Sequence, residues 1–198
     1  MDDAWLLSYR IDRTDRISAV NDAWVAFALA NNGRHLLPDV VLGRHLWDMV
    51  GDLRTRNVYE ALLRRVRETA QPLRLLFRCD SPTLRRLLGM QIIALPDGEV
   101  EFATSVVRDE PRVPMPLLDA RSPRSADHLT ICGWWMRAPV EDGTWLELED
   151  AVPRLNLFGV WPLPRLHHEM CPSCHETVMR ALAAPITDGE ALQIGAIP

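Results

Sequence analysis

Four side chains near the C-terminus have the types and spacing of a metal site. Cys171 and Cys174 are separated by two residues, which lets two thiolates bind one ion. Cys132 lies upstream, and His168 precedes Cys171 by three residues. The sequence therefore predicts a tetrahedral Cys3His zinc site at Cys132, His168, Cys171 and Cys174. Because these ligands fill all four positions, the predicted ion is structural rather than catalytic.

Two other interpretations of the cysteines stay open. Cys171 and Cys174 lie at the start of a predicted helix over residues 175–182, where the helix dipole lowers a thiol pKa. This pair alone would make a thiol-redox site, although the strand–helix pattern of a thioredoxin fold does not precede it. The third interpretation is ordinary buried thiols that bind no ion.

Composition excludes several classes of function. The protein has 198 residues and a formal net charge of −5, which does not favour nucleic-acid binding. All 22 basic residues are arginine, so Walker A loops, Schiff-base chemistry and the protein kinase site are excluded. No apolar run has the length of a membrane span, and the N-terminus lacks the pattern of a secretory signal. We therefore expect a cytoplasmic protein without a membrane or nucleic-acid partner.

The elements that would position these residues alternate between strands and helices. Apolar alternation and the turn residues 96–98 predict five strands and a hairpin. Apolar spacing predicts helices between the second and third strands. The predicted strands cover residues 6–11, 17–20, 73–78, 85–94 and 100–107. The first predicted helix is capped by Asn21 or Asp22 and ends near residues 31–33, and the others cover residues 45–49 and 55–69.

Residues 5–110 resemble a PAS domain. The resemblance depends on residues 9–12 (YRID) with 16–24 (RISAVNDAW), and on residues 41–50 (VLGRHLWDMV). It implies an α+β fold with a five-stranded antiparallel sheet, helices packed on one face, and a pocket between them that senses a ligand or cofactor. It also implies dimer contacts near Trp5 and Leu6, so we expect a homodimer.

The pocket candidates are the aromatic residues Trp24, Phe27, Trp47 and Tyr59, although aromatic residues at helical spacing are more often core. A flavin photoreceptor of this family needs a cysteine in the central helices, and residues 43–69 contain none. The haem sensors need a histidine in the long helix, and residues 52–67 contain none. Flavin and haem are therefore not expected.

The C-terminal region resembles a small cysteine-rich zinc-knuckle module that follows sensor domains in some bacterial signalling proteins. The similar residues are 131–135 (ICGWW), 145–149 (WLELE) and 168–174 (HEMCPSC). The sequence departs from that pattern at Trp135, which stands where the module has its second cysteine. The fourth ligand would then be His168, or its neighbours His167 or His175.

Together these features predict four segments. They are a PAS-like sensor domain (1–110), a Pro-rich linker (111–126), a Cys/His zinc-knuckle-like module (127–182) and a flexible tail (183–198). The linker alternatively packs on the first domain. The predicted function is non-enzymatic signalling, with a small ligand or protein partner bound by the PAS-like domain and an unidentified signalling partner downstream. The alternatives are a thiol-redox protein using Cys171 and Cys174, and a structural interaction module with a filled pocket.

Overall fold

The N-terminal half forms an antiparallel sheet of five strands in the computed structural model, which describes residues 7–30 and 33–184 and the backbone of 192–194. The strand order is β2-β1-β5-β4-β3. The α+β class and the five-stranded antiparallel sheet are therefore confirmed. The strands are β1 (Leu7–Ile11), β2 (Ile17–Val20), β3 (Leu73–Arg78), β4 (Leu84–Ala94) and β5 (Val100–Pro111).

Three helices connect β2 to β3 and pack on the sheet. They are α1 (Asp22–Ala30), α2 (Pro38–Val41) and α3 (Leu53–Thr69). The Asp52 carboxylate accepts a hydrogen bond from Thr55 N at 2.9 Å, which caps α3. The buried face of α3 carries Val58, Leu62 and Val66, which belong to the same core as Leu73, Ile92 and Phe102 of the sheet. None of the described helices has both the length and the hydropathy needed to span a bilayer.

The C-terminal half adds two small sheets and two helices. The strand β6 pairs in parallel with β9, and β7 pairs antiparallel with β8. These elements enclose a second core that includes Leu117, Ile131, Met136 and Leu148. The strands are β6 (Arg124–Cys132), β7 (Arg137–Pro139), β8 (Trp145–Glu147) and β9 (Leu163–Glu169), and the helices are α4 (Leu148–Arg154) and α5 (Pro172–Ala183).

The segment between β5 and β6 packs against its neighbours. Its Met115 N donates to Pro82 O at 2.8 Å, and Leu117 is buried. After α5, residues 192–194 form a short strand, β10 (Leu192–Ile194), which pairs in parallel with β3 and adds a sixth strand at the edge of the sheet. The rest of the predicted tail after Ala184 lies outside the described residues.

A buried ionic cluster joins the two halves. Asp80, just after β3, pairs with Arg78 and lies 2.9 Å from Nη1 of Arg112, which follows β5. Arg78 also lies 2.9 Å from Glu147 of β8, and Arg112 lies 3.1 Å from Glu149 of α4. The ends of β3 and β5 are thereby fixed to the β8–α4 unit.

Candidate metal centre and adjoining cavity

Three of the four predicted metal ligands come together. The Sγ atoms of Cys132, Cys171 and Cys174 all lie within 4.8 Å of one another, and the Cys132 and Cys174 sulfurs are 3.6 Å apart. Cys132 ends β6 and stands opposite Glu169 in the parallel β6–β9 pair. Cys171 precedes α5 as its N-cap, and Cys174 lies in the first turn. All three residues are 0 % exposed.

The thiols are hydrogen-bonded to one another and to the backbone. Cys171 N donates to Cys132 Sγ at 3.4 Å, and Cys171 Sγ lies 3.3 Å from Ser173 Oγ. Hydrogen bonds from Cys132 and then Cys174 lower the pKa of Cys171, because they stabilise its thiolate. Hydrogen bonding to the neighbouring thiols raises the pKa of Cys174. The three thiols therefore do not ionise independently, and a bound cation would favour their thiolate forms.

The histidines lie outside this group of three sulfurs. His168 of β9 lies opposite Ile131 of β6, and its side chain is exposed. Its Nδ1 approaches Gly133 and would lie 3.6 Å from a β-carbon at that position. His167 Nε2 lies 3.3 Å from a Glu169 carboxylate oxygen. His175 is half-buried, and its Nε2 is buried with no hydrogen-bond partner among the described residues. Partial burial lowers the pKa of His168, with a smaller effect from His167.

Trp135 packs toward a group of arginines. Its side chain is nearly buried and lines a cavity of about 220 Å³ together with Arg78, Arg85 and Glu147. Trp135 stands at the position of the second cysteine in the similar cysteine-rich module. In this protein its indole therefore lies beside the ionic cluster that joins the two halves.

A cavity of about 380 Å³ lies beside the cysteines, between the sheet, α3 and the C-terminal half. Trp24 and Tyr59 line it, as do Tyr9 and Phe77. The Tyr9 hydroxyl hydrogen-bonds Tyr59, and burial raises the pKa of both phenols. Its walls are therefore mainly aromatic, with two neutral hydroxyls that could contact a ligand.

The other two pocket candidates have different positions. Trp47 donates through Nε1 to Asp15 Oδ2 at 3.0 Å, and the Arg56 guanidinium lies 5.2 Å from the Trp47 ring centre. Phe27 is partly exposed. Neither side chain is among the described lining residues of the cavity.

The C-terminal half supplies the opposite wall of this cavity, which the sequence did not predict. Gly133, Trp134 and residues 168–170 line it. Trp134 Nε1 donates to Leu76 O at 3.0 Å, and Trp134 O accepts from Arg78 N at 2.9 Å, which fixes the indole to β3. No local signal predicts this wall, because it depends on pairing between residues far apart in the chain.

The cavity wall and the cysteine cluster are built from the same two segments. The segments 132–134 and 168–171 carry Cys132 and Cys171, and their residues 133, 134 and 168–170 line the cavity. Gly133 N donates to Glu169 O at 3.0 Å, which joins the two segments.

Comparison with known proteins gives no family for this chain. Its sequence matches none of the protein-family models, and a search of curated proteins also found no match.

Proposed function

We propose that this protein is a non-enzymatic sensor in which a PAS-like domain binds a small ligand or partner and a metal ion stabilises the C-terminal module. The observation that carries the proposal is the pair of segments 132–134 and 168–171, which hold two of the three clustered cysteines and one wall of the cavity. The antiparallel sheet and its packed helices support the PAS-like assignment, since the resemblance implies this arrangement.

Zinc is the ion that we propose, because thiolate and imidazole are its usual ligands. Three buried thiols fit this requirement, and a fourth ligand completes the tetrahedral site. His168, the ligand that the sequence predicts, is the proposed fourth ligand; it pairs with Ile131, so its imidazole would have to turn toward the Cys132 face of β9 to reach the sulfurs. His175 is the alternative, because its buried Nε2 has no partner among the described residues. A structural zinc ion supplies folding free energy, on the order of 10 kcal/mol in small zinc modules.

The side chains of the shared wall would transmit ligand binding. Trp134 is held on β3 by its indole N–H and its carbonyl, so a ligand against its ring contacts a residue two positions from Cys132. A change in the spacing of the two segments would alter both the wall and the sulfur positions. The response would pass to a separate partner protein, with the protein acting as a cytoplasmic homodimer.

Metal content of the freshly purified, reduced protein tests the metal site. We expect about one zinc ion per chain in the wild type and loss of that ion in Cys171→Ser. Cys79→Ser is the matched control, because Cys79 is a free thiol outside the cluster. A wild-type protein without zinc, or equal zinc in the Cys171 variant, would contradict the proposed site.

A thiol-redox function is the second candidate. The sequence indicated Cys171 and Cys174 for this chemistry, and the structure adds Cys132 within 4.8 Å of both. The Cys132 and Cys174 sulfurs lie 3.6 Å apart. Peroxide would oxidise these two thiols to one disulfide, with both protons leaving in the water formed. Loss of two thiols per chain in zinc-loaded protein would support this candidate, whereas loss only after zinc removal would support a structural site.

A further inference from the structure

The cavity of about 380 Å³ beside the cysteines has walls that attract positive charge. Five of its described lining residues are aromatic: Tyr9, Trp24, Tyr59, Phe77 and Trp134. The face of an aromatic ring is electrostatically negative and attracts a cation within about 6 Å of the ring centre. The first four of these side chains are only half-buried, so part of their surface is open to a small molecule.

Two carboxylates add to this negative potential. Asp52 and Glu169 line the cavity and are half-buried, and the Glu169 side chain is 34 % exposed. Asp52 accepts hydrogen bonds from the backbone N–H and the hydroxyl of Thr55, which are neutral groups. Among the described lining residues there is no arginine, and the only basic group is the imidazole of His168. A cation in this cavity therefore meets two negative charges, whereas an anion meets no permanent positive charge.

The polar atoms of the aromatic walls are already hydrogen-bonded. The hydroxyls of Tyr9 and Tyr59 bond to each other. The indole N–H groups of Trp24 and Trp134 donate to backbone carbonyls at 2.7 and 3.0 Å. A primary ammonium group has three N–H donors that need acceptors when it leaves water. Walls that present mainly ring surface therefore suit a cation without N–H donors.

We propose that this cavity binds a small organic cation with a quaternary ammonium head group. The methyl groups of the ligand lie against the aromatic rings, and the carboxylates of Asp52 and Glu169 attract its positive charge. This inference rests on the proposed function, because it names the ligand class of the same sensor cavity.

Calorimetry on the full chain with three matched probes tests the proposal. The probes are choline, the dimethylbutanol in which carbon replaces the nitrogen of choline, and ethanolamine. The alcohol keeps the shape of choline without its charge, and ethanolamine keeps the charge but replaces the methyl groups by N–H donors. We expect saturable binding of choline, about tenfold tighter than that of either other probe, which corresponds to roughly 1.4 kcal/mol.

Each contrary result has a distinct meaning. Binding of the alcohol as tight as that of choline would overturn the proposal but leave a sensor cavity for neutral ligands. Binding of ethanolamine as tight as that of choline would overturn the quaternary head group. Failure of choline to bind would also overturn the proposal. Zinc content of the same preparation tests the metal site separately, so a wrong ligand class is distinguishable from failure of the proposed metal site.

Two substitutions locate the binding. Glu169→Gln keeps the shape of the side chain without its charge and should weaken choline binding roughly two- to fivefold, with no change for the alcohol. Its control is Glu176→Gln, which removes a 71 % exposed carboxylate that does not line this cavity. Phe77→Leu removes one ring and should weaken choline binding by a similar factor, and Phe158→Leu is its control, because Phe158 is 75 % exposed and lies outside this cavity. Unchanged choline affinity in Glu169→Gln and Phe77→Leu, with circular dichroism showing folded proteins, would overturn the assigned location.

Discussion

Removing the carboxylate of Asp80 should destabilise the protein strongly, because this group compensates two buried arginines. The Asp80 side chain is 0 % exposed, and Arg78 and Arg112 are 6 % and 4 % exposed. Oδ1 of Asp80 also accepts from Arg86 N at 3.1 Å. In Asp80→Ala, both guanidinium groups lose this partner and one backbone N–H loses its acceptor.

The expected loss follows from the burial of these charges. Breaking a buried ion pair by removing one partner costs about 3–5 kcal/mol, because the remaining charge stays desolvated. Proteins of this size have total stabilities of roughly 5–15 kcal/mol, so the loss is a large share. Asp80→Asn should lower the free energy of unfolding by less than Asp80→Ala, because the amide oxygen still accepts hydrogen bonds although the charge is gone.

Equilibrium urea unfolding of reduced protein at a fixed zinc concentration measures this effect. The matched control is Glu176→Ala, which removes an exposed ion pair with Arg180 in α5 whose two side chains are both more than two-thirds exposed. In the control, the free energy of unfolding should fall by about 0–1 kcal/mol. If Asp80→Ala loses no more than Glu176→Ala, the buried cluster does not hold the two halves together as argued.

Two further predictions concern the shared wall. Trp134→Phe removes the indole donor that lies 3.0 Å from the carbonyl oxygen of the half-buried Leu76. The free energy of unfolding in urea should fall by roughly 0.5–1.5 kcal/mol, and an unchanged midpoint would refute this role. Burial lowers the pKa of His168 below its unfolded value of about 6.5, so zinc-free protein should lose stability as the pH falls below that value. His168→Gln should reduce this acid dependence, and an equal pH slope in both proteins would contradict the assignment.

Much of the N-terminal half is predictable because its signals are local. Apolar alternation and turn residues place strands at Ile17–Val20 and Leu73–Arg78, where the structure has them. Asn21 directly precedes α1, and its Oδ1 accepts a hydrogen bond from Trp24 N at 2.9 Å, which caps the helix. The predicted hairpin at residues 96–98 connects β4 and β5.

The C-terminal half is less predictable because distant pairing determines it. In β6 the exposed residues 126–128 give no alternating pattern, and its partner β9 comes after a helix and a loop. The two-residue spacing of Cys171 and Cys174 predicts that their sulfurs lie close together, whereas the approach of Cys132 depends on the parallel pairing of β6 with β9. Spacing is insufficient for His168, because Cys171 lies beyond the end of β9 and the chain changes direction before α5. The position of an imidazole relative to the sulfurs therefore depends on tertiary structure.

Hydrogen exchange of the zinc-loaded and zinc-free protein reports whether an ion at the cysteines fixes the cavity wall. Zinc removal should reduce protection in residues 132–134 and 168–171, while helix α3, whose apolar face is buried in the core, stays protected. Cys171→Ser should show the exchange pattern of zinc-free protein without added chelator. Unchanged protection of the two segments after zinc loss would contradict the claim that an ion at these cysteines fixes the wall of the cavity.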